Sequence, residues 1–408
     1  MTKWVILAGM GIAAASFAAA ADFPARAPAG VRAEDYFTAE EIARGKAYSA
    51  SKMKFMAAGL ALELAFWGVL LFSGMAAALE RKLLALSGGR VWIAAPLFIL
   101  AVIVVQHVVD YPLSYLREFR NEHAWGFSNL TFGAWNAEQL KALVVFLVIA
   151  VPGLMALYAV MRISPDRWWL WMSGVFGGIM ILIMWAWPIV IAPIFNTFTP
   201  LPDGELKARV LAMTEKGGVR VDKVLVVDAS RQSKHTNAYF AGVGSSKRVV
   251  LFDTLVKDHT PEEVENVLAH EIGHWRKNHI WKGLVIALAG FVLFFFLADK
   301  LLGAGAARGW GGMAAKSALA GLPLIYLLAT VVGFASQPFQ NAVSRHFERE
   351  ADREEIALTG RPEVLVSSMQ RMARTNLSDV DPHPFKEWYF YSHPSVMNRI
   401  RMAVDYRK

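Results

Sequence analysis

The sequence predicts a mainly α-helical protein that crosses a membrane several times and builds one domain outside the bilayer. Of its 408 residues, 55% are hydrophobic and the mean hydropathy is positive, which is unusual for a large soluble enzyme. Apolar runs recur along the chain, and several reach the roughly 20 residues that a helix needs to cross a bilayer. Most charged residues lie between these runs, chiefly in two long polar segments.

Seven apolar runs are candidates for transmembrane helices. They lie at residues 4–21, 53–79, 91–109, 140–161, 168–195, 283–298 and 319–334. The first run follows Lys3 and ends in small residues, so residues 1–21 fit either a cleavable signal peptide or a first transmembrane helix. Residues 22–195 are then expected to hold transmembrane helices with their loops, and residues 283–338 a transmembrane hairpin.

Two polar segments, residues 196–282 and 339–408, are long enough to build a domain outside the bilayer. An even number of predicted spans separates them, so both are expected on one membrane face, folded together. In the first segment, "FNTFTPLPDGELKARVLAMTEKGG" has two proline turns followed by a helical pattern that ends at Gly217 and Gly218. "VDKVLVVDAS" and "KRVVLFDTLV" are rich in Val and Leu and bounded by turn residues, which predicts two strands of a small sheet.

The composition excludes several functions. Because the chain has no cysteine, it has no disulfides, thiolate nucleophile or cysteine-ligated zinc, and any metal must bind to His, Asp or Glu. On a chain with this many apolar runs, the net charge of +8 indicates contact with anionic lipid headgroups, so the lipid bilayer is an expected partner. No nucleic-acid-binding motif is present in the sequence, and no nucleic-acid partner is expected.

The stretch "LAHEIGHWRKNH" predicts a metal site on a helix. Thr260 is a suitable N-cap with Glu263 as its capping-box partner, so His270 and His274 project from one helix face a turn apart. At this spacing two imidazoles can bind one zinc ion at ~2.0–2.1 Å, with Glu271 placed to polarise a bound water. Chance produces such a pattern in a chain of this composition on the order of one time in a hundred. The alternative is a pair of surface histidines.

A catalytic zinc has three protein ligands and an open position for water, so a third ligand must come from elsewhere. The candidate segment is "NAVSRHFEREAD", on a helix predicted over residues 340–358 and ended by Gly360. Glu348 would ligate the zinc, and Asp352, one turn later, would accept a proton from the second nitrogen of a ligand histidine. Alternatively, both carboxylates belong to a solvated face balanced by neighbouring arginines.

These motifs resemble those of the type I CAAX prenyl proteases, integral-membrane zinc metalloproteases that trim prenylated proteins. "HEIGHWRKNH" is similar to the metal helix of that family, "NAVSRHFEREAD" to its third-ligand helix and "SKHTNAYFAGVGSSKRVVLFDTL" to its substrate-side strand and loop. "YSHPSVMNRI" is similar to its C-terminal signature, and a looser similarity includes "LREFRNEHAWGFSNLTF". The resemblance covers roughly residues 34–405.

The resemblance implies a barrel of about seven transmembrane helices around an intramembrane chamber, with the zinc domain capping one face. It implies one Zn²⁺ per chain and a peptide or protein substrate that is prenylated or membrane-associated. By position it implies three zinc ligands (His270, His274 and Glu348), a catalytic carboxylate (Glu271) and four supporting residues (Asn237, Asp352, His393 and Arg399).

Glu271 is expected to take a proton from the attacking water and pass it to the leaving amine. His393 is a candidate second donor to the oxyanion, or a structural histidine. Asn237 would hold a substrate carbonyl beside an exposed sheet edge, or stabilise its own turn. His279, just past the metal helix, is expected to interact with the C-terminal end of that helix.

Two other functions fit parts of the pattern. A heat-shock type membrane quality-control protease would use the same chemistry, although more spans and long signature loops favour the CAAX type. A transporter or channel with a structural zinc would suit Glu63 within a predicted span. Otherwise Glu63 and His107 would line a chamber or pair between helices. A structural zinc, however, generally has four protein ligands.

The orientation of the zinc domain is predicted in two opposite ways. Lysine and arginine in the short loops at residues 80–90 and 162–167 place this domain on the outer face by the positive-inside rule. The family resemblance implies the cytosolic face. The sequence leaves both orientations open.

Overall fold

The computed structural model describes residues 30–219, 221, 223–241 and 248–406. The predicted signal peptide or first transmembrane helix, residues 1–21, lies outside the described residues. Within them, six helices are long and apolar enough to cross a membrane. This confirms a mainly helical, polytopic membrane protein, with a helix count close to the seven that were predicted.

Four of these six helices precede the polar segments. They are α1 (Ala39–Phe72), α3 (Val91–Ser114), α4 (Phe132–Ile163) and α5 (Trp168–Ala186), and a shorter helix, α2 (Met75–Leu86), follows α1. Helix α3 continues through a π-helical segment, Tyr115–Asn121, to Ala124, and α5 continues through another, Trp187–Ile191, to Phe195. The two continuous helices have 34 and 28 residues, so each is longer than the roughly 20 residues that a bilayer requires.

The prediction of one span over residues 53–79 was wrong. Helix α1 ends at Phe72, and Gly74 has a φ of 77°, in the left-handed region that ends a helix. The chain then re-enters a helix at Met75. Apolar composition continues across this break, so hydropathy alone did not reveal it.

The first polar segment forms a four-stranded sheet and three helices. The strands are β1 (Phe198–Pro200), β2 (Lys223–Val227), β3 (Ala238–Ala241) and β4 (Arg248–Phe252), in the order β1-β2-β4-β3. Strands β2 and β4, which were both predicted, pair in parallel, whereas β1 and β3 pair antiparallel to their neighbours. β1 was not predicted because it is short and includes a proline.

The helices of this segment are α6 (Glu205–Lys216), α7 (Asp253–Asp258) and α8 (Pro261–Arg276). The predicted capping box at α8 is confirmed: the Thr260 hydroxyl accepts from the Glu263 amide at 3.3 Å, and the Glu263 carboxylate accepts from the Thr260 amide at 3.1 Å. Helices α6 and α8 share one apolar core with the sheet, which includes Val210, Val249, Leu251, Leu268 and Ile272.

The predicted transmembrane hairpin consists of α9 (His279–Ala307) and α10 (Leu322–Thr359). The expected boundary between a span at 319–334 and a separate helix at 340–358 was wrong, because α10 continues through both and includes Pro338. The change from apolar to charged residues marks where the helix leaves the bilayer. Its end is at Gly360, as predicted, with a φ of 68°.

The last helices, α11 (Pro362–Thr375), α12 (Pro384–Phe390) and α13 (Val396–Tyr406), follow α10. Their apolar faces form a core with the end of α10, which includes Ile356, Leu365, Met397 and Ile400. Because α10 contributes to this core and α8 packs against α10, the two polar segments are in direct contact.

A cavity of about 1210 Å³ lies between α4, α5, α9 and α10. Most of the side chains that line it are apolar, among them Leu154, Met180 and Phe295, and at one end it reaches His274 and the sheet. Neither Glu63 nor His107 is among the residues that line this cavity.

Candidate metal centre

Three potential ligand side chains converge where α8 crosses α10. His270 Nε2 and His274 Nε2 are 3.1 Å apart, as expected for residues one helical turn apart. Glu348 on α10 places Oε2 at 3.2 Å from His270 Nε2 and Oε1 at 3.3 Å from His274 Nε2. One ligand atom from each of the three residues therefore lies within 4.8 Å of the other two.

Gly273 allows this convergence because it lets α8 and α10 approach closely. A Cβ atom at this position would be 2.9 Å from both Cα and the carbonyl oxygen of Ala351. Ala351 lies between Glu348 and Asp352 on α10 in the chain, so the closest helix contact is next to the carboxylates. The glycine of the "HEIGH" motif thus sets the distance between the histidines and Glu348.

Replacing Gly273 with alanine is expected to separate the two helices and lower both stability and metal affinity. Overpacking of this kind typically costs about 1–3 kcal/mol of unfolding free energy. Melting temperature and metal affinity of the purified protein measure the two effects. Gly283→Ala is the matched control, because no atom lies within 4 Å of a Cβ at that position. If Gly273→Ala and Gly283→Ala had equal melting temperatures and equal metal affinities, this function of Gly273 would be contradicted.

Asp352 supports His270 from the side opposite Glu348. The Asp352 side chain is fully buried, and its Oδ1 is 2.9 Å from His270 Nδ1. Arg399 on α13 binds both oxygens of the same carboxylate, with Nε at 3.0 Å from Oδ2 and Nη2 donating to Oδ1. A second acid, Glu355, has Oε2 at 3.3 Å from His270 Nδ1 and accepts from Asn266. The imidazole of His270 is therefore fixed by buried charges.

Glu271 follows His270 on α8 and is half-buried. Burial raises the pKa of its carboxyl above the ordinary value, and the nearby Glu348 acts in the same direction, while the two histidines oppose it. A carboxyl with a raised pKa is suited to exchange protons near neutral pH.

His393 lies in the loop between α12 and α13, with Nε2 at 3.3 Å from Glu348 Oε1. Its side chain is 59% exposed, and Nδ1 is 2.8 Å from Ser392 Oγ. The segment before this loop is held by Arg345, a buried residue on α10. The Arg345 guanidinium donates to the carbonyl oxygens of Glu387, Trp388 and Tyr391 at 3.0, 3.2 and 2.6 Å. Sequence spacing gives no sign of these contacts, because a backbone carbonyl has no sequence signature.

Asn237 lies directly before β3, the edge strand of the described sheet, and is exposed. Its Oδ1 accepts a hydrogen bond from the Ala238 amide at 2.9 Å, so the side chain stabilises its own turn. Within the described residues Asn237 makes no hydrogen bond to the metal cluster, unlike Asp352, Arg399 and His393, which contact it directly.

His279 was interpreted as a partner of the α8 C-terminus, but it contacts a histidine of the cluster. Its Nδ1 is 2.9 Å from His274 Nδ1, and its Nε2 is 2.9 Å from Glu350 Oε2. The sequence signal that could have identified it is the position of a histidine at the first residue of a membrane helix, five residues after His274.

The residues of the cluster fit a divalent metal ion. Two imidazoles and a carboxylate are a common ligand set for zinc. Glu348 Oε2 is buried and accepts no hydrogen bond within the described part of the chain, although His270 Nε2 is close by. A buried carboxylate oxygen without a hydrogen bond is costly, and a bound cation would satisfy it.

The comparisons with known proteins agree with this site. Residues 200–407 match peptidase family M48, and residues 25–197 match the CAAX prenyl protease N-terminal family, described as five membrane helices. The chain is 30% identical to an uncharacterized metalloprotease, YhfN, of Bacillus subtilis, over 89% of this chain and 85% of that protein. It is 35% identical to CAAX prenyl protease 1 of Saccharomyces cerevisiae, over 73% of this chain and 69% of the yeast protein.

Its fold is similar to that of a solved structure. The crystal structure of S. mikatae Ste24p superposes with a TM-score of 0.82 at 28% identity, covering 99% of this chain and 97% of that one. Similarity over both the membrane helices and the part that carries the metal cluster excludes a chance match to one motif. The chain therefore belongs to peptidase family M48 and is an integral-membrane metalloprotease that uses a metal ion to cleave peptide or protein substrates.

Proposed function

We propose that the chain is a zinc endopeptidase of CAAX prenyl protease type, in which His270, His274 and Glu348 hold one Zn²⁺ and Glu271 is the catalytic carboxylate. The observation that carries this proposal is the convergence of the three ligand atoms within 4.8 Å beside the end of an apolar cavity. Three protein ligands leave a coordination position open, as in catalytic rather than structural zinc sites. This favours a hydrolase over a transporter or channel with a structural zinc.

Zinc bound by these three residues would polarise the scissile carbonyl and lower the pKa of a bound water. Glu271 then accepts the proton of the attacking water and delivers it to the nitrogen of the leaving amine. The raised pKa of its carboxyl supports this function, because an acid that holds the proton for part of the cycle must not be too strong.

Three further residues orient the reacting groups. Asp352, held by Arg399, accepts the Nδ1 proton of His270 and so leaves Nε2 free to ligate. His393 extends past Glu348 into an exposed position, from which it would donate a hydrogen bond to the oxyanion that forms on the scissile carbonyl.

The substrate would bind as an extended strand along β3. As the edge strand of the described sheet, β3 offers main-chain groups to a peptide, and α8 packs against it. The Asn237 NH₂ at the start of this strand would bind a substrate carbonyl, while its Oδ1 stays with the Ala238 amide. Both functions that the sequence suggested for Asn237 are then compatible.

The apolar cavity favours a lipid-modified substrate. It adjoins His274 and is lined by apolar residues of four membrane helices, so an isoprenoid attached near the cleavage site could enter it. A quality-control protease would instead accept unmodified apolar segments at similar rates.

A pair of peptides with the same C-terminal sequence, one S-farnesylated and one not, tests this substrate class with the purified protein. The kcat/KM for the farnesylated peptide is expected to be about tenfold higher or more, because each buried methylene contributes about 0.8 kcal/mol. Equal kcat/KM values would contradict the CAAX type and favour the quality-control type. If the purified protein bound one zinc ion but cleaved none of these peptides, nor an unmodified apolar peptide, the result would favour a structural zinc.

A further inference from the structure

His279 links one side of the metal cluster to the membrane helices. It is the first residue of α9, its side chain is only 4% exposed, and its two ring nitrogens face two different groups. Nδ1 is 2.9 Å from His274 Nδ1, and Nε2 is 2.9 Å from Glu350 Oε2 on α10. The three residues form a chain of hydrogen bonds from α8 through α9 to α10.

The order of protons along this chain follows from the geometry. His274 can ligate a metal through Nε2, which faces His270 and Glu348, only if that nitrogen is unprotonated and the ring proton is on Nδ1. His274 Nδ1 then donates to His279 Nδ1, which must be the acceptor. A neutral His279 therefore carries its own proton on Nε2, and this nitrogen donates to the Glu350 carboxylate.

The position of the His279 ring is fixed by its surroundings. Asn278, which precedes it, has a φ of 57°, a conformation that asparagine tolerates better than most residues. Asn278 separates α9 from α8, and His279 lies beside His274. The His279 ring stacks on Phe347 of α10, with centroids 4.2 Å apart and an interplanar angle of 8°. Lys282 is 3.7 Å from the same Glu350 oxygen and balances its charge.

The two histidines of the cluster are thus supported differently. His270 is next to a buried carboxylate, Asp352, whereas His274 is next to a neutral imidazole with the carboxylate one residue further away. Partners of this kind fix the tautomer and orientation of a ligand histidine, and their loss typically weakens metal binding by about 10- to 100-fold.

We propose that His279, held by Glu350, is a positioning residue that fixes the tautomer and ring orientation of His274. This proposal rests on the proposed function, in which His274 is a zinc ligand. His279 and Glu350 lie on the membrane helices α9 and α10, both of which line the cavity, so the geometry of one zinc ligand depends on the packing of those helices.

The test is the zinc dissociation constant of the full-length protein, measured by competition with a chelator in the absence of substrate. His279→Phe keeps the stacking on Phe347 but removes both ring nitrogens, and its affinity for zinc is expected to be about 10- to 100-fold weaker than that of the wild type. His279→Asn places an acceptor oxygen where Nδ1 was and is expected to restore part of the loss. Glu350→Gln is expected to have an effect smaller than that of His279→Phe.

His346→Phe is the matched control, because His346 also approaches Glu350, at 3.7 Å, but is exposed and does not contact His274. It is expected to bind zinc like the wild type. The melting temperature of metal-free His279→Phe is expected to equal that of the metal-free wild type, because His279 acts on the metal site rather than on the fold. The visible spectrum of its Co²⁺ form is expected to change, because that spectrum depends on the geometry of the ligands.

Wild-type affinity in His279→Phe would overturn the proposal. So would a loss that His346→Phe shares, or one that is accompanied by a lower melting temperature of the metal-free protein. The proposed function fails in a different way: His274→Ala would then bind zinc as tightly as the wild type.

Discussion

Glu271→Gln is expected to lower peptide cleavage by on the order of 10²- to 10⁴-fold, the usual contribution of a positioned acid–base group. The glutamine has nearly the same shape but cannot accept the proton of the attacking water. Zinc content is expected to stay at the wild-type value, because none of the three ligands is changed. Single-turnover cleavage of a peptide and metal analysis of the same preparation measure both quantities.

Glu262→Gln is a suitable control on the same helix. Glu262 is near the start of α8 and pairs with Arg209 at 2.9 Å, away from the cluster. This variant should cleave at the wild-type rate. If Glu271→Gln also kept full activity, Glu271 would have no part in the proton transfers.

Arg399→Met is expected to destabilise the protein more than removal of any exposed charge. Asp352 would lose both hydrogen bonds from the guanidinium while its carboxylate stays fully buried. Breaking a buried ion pair from one side typically costs about 3–5 kcal/mol of unfolding free energy. A lower melting temperature of the metal-free protein, together with weaker zinc binding through the misplaced His270, is the expected result.

Arg401→Met, two residues later on α13, is the matched control. Arg401 also binds both oxygens of a carboxylate, with both contacts to Asp381 at 3.1 Å, but that acid is 39% exposed. Arg401 is mostly buried and also donates to the Val31 carbonyl, but water can solvate Asp381 once the guanidinium is lost, so this variant is expected to be destabilised less than Arg399→Met. If Arg399→Met and Arg401→Met had equal melting temperatures, the Arg399–Asp352 pair would stabilise the protein no more than the Arg401–Asp381 pair.

Local patterns predicted much of the metal helix and its partners. The capping box at Thr260 fixed the start of α8, and the spacing of four placed His270 and His274 on one face. The same rule applied to Glu348 and Asp352, which contact His270 from two sides. The face of the helix on which each of these residues lies could be predicted, because it depends only on residues within one or two helical turns.

Other contacts between distant elements were not predicted. Arg345 binds carbonyl groups more than forty positions away in the chain, and a backbone acceptor has no sequence signature. The contact of His279 with Glu350 joins two membrane helices and depends on the turn at Asn278. Hydropathy likewise could not distinguish one long run from α1 and α2, because only Ser73 and Gly74 separate them.

The central claim is that Glu348 completes a three-ligand zinc site with His270 and His274, and the zinc content of Glu348→Ala tests it most directly. Glu354→Ala is the control on the same helix, since Glu354 pairs with Arg276 and Lys277 at 3.1 and 2.8 Å, outside the cluster. One zinc per chain is predicted for the wild type and Glu354→Ala, and close to none for Glu348→Ala after dialysis against a weak chelator. If Glu348→Ala retained one zinc ion per chain, Glu348 would not be a zinc ligand.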